Sequence, residues 1–163
     1  DFSQDKDRFV FVNESSNVGA VKVYANIDKL NPIPLGNKNL LCSDAAGQFM
    51  PDNFIHELAF VIDGVLFTGC AHNGILNILQ SIDVPISLSI GGFHLLDAHL
   101  DQTYETDQQL NRIAVCLHED YPHVHFYTGH CTGDRCFDMI SQSNNTHIHQ
   151  FHCGEEILLT SNE

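Results

Sequence analysis

The apolar positions of this chain change period along its length. Near the start, "RFVFV" (8–12) and "AVKVYA" (20–25) are short, rich in β-formers and bounded by turn residues, so both predict strands. Residues 28–53 carry Pro32, Pro34 and Pro51 and hold no sustained period, which predicts a long irregular connection. Then "ELAFVI" (57–62) and "VLFT" (65–68) flank Asp63-Gly64. That dipeptide favours the two-residue turn with positive φ at both positions, so a hairpin is expected. Both of its strands are apolar on both faces, which predicts an interior pair in a sheet covered on both sides.

After Gly69 the period lengthens. Ile75, Leu76, Leu79 and Ile82 recur at helical spacing, and "PISLSI" (85–90) returns to a strand. Residues 104–118 place Leu110, Ile113, Ala114 and Leu117 on one helical face, with acids in the first turns where the helix dipole favours them. "VHFY" (124–127) predicts a strand. Residues 132–142 predict a helix opened by a threonine cap at Thr132. "THIHQF" (146–151) and "EILLT" (156–160) predict two closing strands. Strands alternating with helices imply a layered α/β (α+β) fold. One domain over 1–163 is expected, with an irregular part over 1–53 holding two strands and a motif-bearing part over 54–163.

Charge narrows the partners. Twenty-one acids against seven bases give −14, which argues against nucleic acid and against anionic membrane surfaces. No run of about 18 apolar residues is present, and "DFSQDKDRF" has neither the basic nor the apolar part of a signal peptide. Six cysteines at irregular spacing fit reduced thiols in a cytoplasm better than a disulfide framework. The eleven histidines outnumber lysine and arginine together, and imidazole is a leading ligand for transition metals.

Three of these histidines share a context. His72 in "FTGCAH", His94 in "SIGGFH" and His130 in "FYTGH" each follow an apolar strand that ends in a glycine-bearing turn. In α/β layers such turns converge beyond the carboxyl ends of the strands, so the three could meet. Neutral imidazoles with a thiolate suit zinc, iron or manganese. Cys131 adjoins His130, but strand neighbours point to opposite faces, so the two do not make a nucleophile and its base. Cys131 and Cys136 with Cys153 or His152 lack the usual CxxC zinc spacing.

"HELAFVIDGVLFTGCAHNGILNIL", "IGGFHLL" and "FYTGHCTGDRCFDMI", in this order, resemble the metallo-β-lactamase superfamily. Within it they are most similar to the branch of the 7,8-dihydropterin-6-methyl-4-(β-D-ribofuranosyl)-aminobenzene-5′-phosphate synthases. The resemblance covers roughly residues 54–160. It implies part of an αββα sandwich, mainly its C-terminal sheet and helices, with metal at one sheet edge. Cys70 stands where many relatives place a bridging aspartate. A thiolate is softer and spaces two hard ions poorly, so one zinc or an asymmetric pair is expected. Cys70, His72 and His130 are the metal ligands implied, with Cys70 and His72 as alternatives, and His94 is a ligand or a catalytic acid/base at the rim.

The family's main metal motif, His-x-His-x-Asp-His, is absent. "HVH" (123–125) and "HIHQFH" (147–152) lack its Asp-His step and read as sheet-surface histidines. The chain therefore resembles the C-terminal half to two-thirds of such an enzyme. A second chain or an N-terminal segment is expected to complete the sandwich, since an uncovered sheet face is rarely tolerated. Two functions follow from the resemblance. One is a metal-dependent hydrolase-like enzyme acting on an anionic small molecule, an ester, phosphoester or pterin phosphate. The other is a binding or assembly module that keeps the fold without the chemistry.

Overall fold

The computed structural model describes residues 8–98, 104–142 and 147–158. Its main element is a seven-stranded sheet in the order β1-β2-β5-β6-β7-β8-β9. The strands are β1 (Ser16–Val18), β2 (Val21–Tyr24), β5 (Ala59–Ile62), β6 (Val65–Phe67), β7 (Leu88–Ile90), β8 (His125–Thr128) and β9 (Ile148–Gln150). The first four pair antiparallel, whereas β6 to β9 run parallel. β3 (Leu41–Ser43) and β4 (Phe49–Pro51) form a separate hairpin. The helices are α1 (Ile75–Ser81), α2 (Asp107–Asp120) and α3 (Asp134–Ser141). They supply the crossovers that parallel strands require.

The Asp63-Gly64 turn forms as expected, with φ of 49° and 76°. The hairpin it closes lies in the interior of the sheet order. Among the described residues, however, the two faces are covered unequally, contrary to the expectation from its composition. One face presents Tyr24, Val61, Leu66, Phe126 and Ile148 to the core, where α1 adds Ile78, α2 adds Leu110 and Leu117, and α3 adds Ile140. On the other face the rings of Phe60 and Phe67 stack with centroids 5.2 Å apart, and Phe60 is 41% exposed. The same face carries Val18, 62% exposed. Val65 and Leu88 on this face are buried, so among the described residues it is covered in part, with Phe60 and Val18 left open.

Other expectations shift for local reasons. "RFVFV" forms no strand, and Val10 and Phe11 are exposed. The connection over 28–53 is less irregular than its prolines imply, holding the β3–β4 hairpin and a short 3-10 turn at Leu35–Asn39. Asn77, fully buried in α1, clips that connection down by donating to Asn31 O at 3.0 Å and accepting from Asn31 N at 2.6 Å. α2 begins at a capping box in which Thr106 and Gln109 satisfy each other's backbone amides.

The threonine cap expected for α3 does not form. Gly133 is the cap, and Asp97 from a distant loop reaches in to accept from Arg135 N and Cys136 N, each at 3.1 Å. The strand expected over 156–160 is not formed at 156–158, and its end lies outside the described residues, as does Thr146 at the start of the other closing strand. Among the described residues, no helix is long and apolar enough to cross a membrane.

Candidate metal centre

Because β6, β7 and β8 are parallel neighbours, their carboxyl ends line one edge of the sheet, and the turns that follow meet there. Backbone bonds continue the pairing past the strands: Gly92 N donates to Gly69 O at 2.8 Å, and Gly91 N to Tyr127 O at 3.1 Å. Thr132 Oγ1 accepts from Phe93 N at 3.1 Å and bonds Thr128 Oγ1 at 2.7 Å, which ties the second turn to the third. Each turn holds a non-glycine residue at positive φ: Ala71 at 58°, His94 at 50° and His130 at 53°. Such a conformation costs about 1–3 kcal/mol per residue and collects at functional sites.

The edge gathers Cys70, His94 and Cys131, whose ligand atoms all lie within 4.8 Å of one another. Cys70 and His94 were candidates from sequence, whereas Cys131 was weighed as a ligand only with Cys136 and Cys153 or His152. His130 and Cys131 lie in the turn after β8, where the Cys131 thiol faces inward and its Sγ lies 3.6 Å from Cys70 O. His130 is exposed and stands outside the group. Glycine makes room for the thiol, since a Cβ on Gly92 would sit 2.3 Å from Cys131 Sγ.

His94 is 7% exposed, and neither ring nitrogen has a hydrogen-bond partner. Burial, with a smaller contribution from the neighbouring His72 ring, pushes its pKa down from 6.5 to about 4. Burial, then Cys70, pushes the Cys131 thiol up to about 12. Both groups are thus neutral at ordinary pH, one with vacant lone pairs and the other with a proton that a cation would displace. Two sulfurs and an orphaned imidazole nitrogen are the donor set of a soft divalent site. In a tetrahedral zinc site such donors stand about 3.5–3.8 Å apart, so modest closure suffices.

His72 stands beside this group, its ring centroid 4.2 Å from that of His94. Three residues from outside the turns hold it. Phe54 stacks on its ring at 4.4 Å. The Glu57 carboxylate accepts from His72 N at 2.6 Å and Asn73 N at 2.7 Å. Asn37 Nδ2 donates to His72 O at 2.7 Å, which turns Asn37 Oδ1 toward His72 Nδ1 at 3.0 Å. That assignment places the ring proton on Nδ1 and leaves the Nε2 lone pair free. Burial lowers the His72 pKa, against an opposing pull from Glu57. Asn37 lies in the proline-bearing connection, and no local pattern marked it or Glu57 as part of the site.

A solved structure described as a metal-dependent hydrolase of the β-lactamase superfamily shares this arrangement of strands and helices. It matches with a TM-score of 0.74 at 24% identity, over 93% of this chain and 58% of that one. The fold is metallo-β-lactamase-like. Two curated proteins of Methanocaldococcus jannaschii are similar in sequence. A 7,8-dihydropterin-6-methyl-4-(beta-D-ribofuranosyl)-aminobenzene-5'-phosphate synthase is 28% identical over 120 residues, which span 68% of this chain and 38% of its own. An uncharacterized protein is 29% identical over 103 residues, 61% of this chain and 36% of its own. The chain therefore spans less than two-fifths of the curated relatives it matches. No family model matches it.

Proposed function

We propose that this metallo-β-lactamase-like chain carries part of the metal site of a hydrolase-like enzyme, with Cys70, His94 and Cys131 holding a divalent ion, zinc by preference. The observation that carries the reading is the convergence of these three side chains from separate turns around a buried imidazole with no partner of its own. Three protein donors leave an open position, as in catalytic zinc sites. A bound ion would supply Lewis acidity and lower the pKa of a coordinated water.

On this reading, two roles differ from those weighed on sequence. His94, weighed as a ligand or an acid/base at the rim, serves as a ligand beside the two thiols. His72 takes the proton-handling place: Asn37 fixes its tautomer, and its free Nε2 accepts a proton beside the site. His130, exposed on the third turn, is left to meet substrate or a further segment. The substrate proposed is an anionic small molecule bearing an ester, phosphoester or pterin phosphate, by likeness to the synthase. We further propose that an N-terminal segment or second chain bearing the histidine-rich motif covers the open face around Phe60 and Phe67. All six cysteines are free thiols, in keeping with a reducing, cytoplasmic setting.

Zinc affinity by chelator competition tests the ligand set. Cys131→Ser and His94→Asn should each weaken binding at least about tenfold, while His130→Ala changes it less than about threefold. The reverse ranking would return the late ligand to His130. An unchanged affinity in all three would favour the binding or assembly module without metal chemistry.

A further inference from the structure

The open sheet face has a second half. Alternation along β8 and β9 places His125, Tyr127, His147 and His149 together on that face, and the register pairs Tyr127 with His149 directly. The three imidazoles touch. His125 Nδ1 and His149 Nε2 are 3.1 Å apart with ring planes 12° from parallel, and the His147 ring stands edge-on to His125 at 4.9 Å. Tyr127 stacks on His149 at 4.7 Å and backs the cluster. His147 Nδ1 is buried and has no hydrogen-bond partner.

We propose that His125, His147 and His149 form a second transition-metal site, distinct from the thiol-bearing edge, which takes zinc or a similar divalent ion and ties the edge strand β9 to β8. The geometry carries it. Zinc–nitrogen bonds of about 2.0–2.1 Å in a tetrahedral site put two imidazole nitrogens about 3.3 Å apart, close to the separation already present. One of those nitrogens carries the proton of their mutual hydrogen bond. Moving it to the far nitrogen of the same ring frees both lone pairs without changing the charge of either imidazole. A side-chain rotation then brings His147, already an orphan, in as the third donor. Nitrogen donors without sulfur or carboxylate suit zinc, nickel or copper and disfavour calcium and magnesium. Burial, then His125 and His147, lower the pKa of His149, opposed by Glu155.

Cobalt and zinc titrations of the full chain carrying Cys70→Ser and Cys131→Ser test this, because a thiol-free site gives no near-ultraviolet thiolate-to-cobalt charge-transfer band. One equivalent of cobalt should still bind, with visible d–d absorption alone. Adding His149→Gln or His125→Gln should weaken it at least about tenfold, while His123→Gln, a nearby exposed histidine, should leave it unchanged. Far-ultraviolet circular dichroism confirms that each variant is folded, and two-dimensional NMR of the imidazoles reads which rings shift with zinc. No binding in the double-serine background overturns the proposal. So does equal weakening by His123→Gln, which would mark an adventitious ion only. The thiol-bearing site is scored separately, by the charge-transfer band of the unmodified chain.

Discussion

Acid should unfold this protein through His94 before its carboxylates titrate. The imidazole is 93% buried with no partner, so folding requires it neutral, and its pKa falls from 6.5 to about 4. A base whose folded pKa is depressed contributes no penalty above pH 6.5, and stability is then lost as the pH falls toward 4. Linkage over that interval gives a loss of about 2 kcal/mol between about pH 7.5 and pH 5, rising toward about 3 kcal/mol at pH 4. Urea unfolding with a chelator present, at about pH 7.5 and about pH 5, measures it. The reference is His94→Asn, because asparagine tolerates the positive φ of 50° at that position and does not titrate. The unmodified chain should lose about 2 kcal/mol more than the variant over this range. Equal losses within about 0.5 kcal/mol would refute a buried, neutral, partnerless His94.

Three further outcomes are expected. Glu57→Gln, which puts an amide NH₂ against a backbone N–H now held by carboxylate, should cost about 1–3 kcal/mol in urea unfolding and disorder His72 in NMR spectra. Gly92→Ala should lower zinc affinity and thermal stability together, because the new methyl would occupy the space of Cys131 Sγ, and overpacking of this kind costs about 1–3 kcal/mol. Asp97→Ala should remove the cap on α3 at about 1 kcal/mol by thermal melting, while zinc affinity changes little.

The outcome at Cys131 shows how far local pattern reaches. The sequence reading placed it beside His130 on a strand, but both residues lie in the turn after β8, and which of them turns inward depends on that bend and on the space at Gly92, 39 residues away in sequence. The same holds for α3. A threonine stands where a cap is expected, yet Thr132 spends its hydroxyl on Thr128 and Phe93, and Asp97 caps the helix across the fold.

Local chemistry is what the sequence determined. The Asp-Gly turn, the helical periods of α1 and α2 and the alternation of strand and helix each follow from neighbours a few residues apart, and so do three glycine-bearing turns rich in candidate ligands. Tertiary structure decided which face of the sheet is covered, which side chain of each turn faces the others, and which distant groups hold them. Asn37, Glu57 and Phe54 reach His72 from 35, 15 and 18 positions away. Burial decides the rest. Removing His94 from water sets its charge, and no periodicity in the chain records how much water each imidazole keeps.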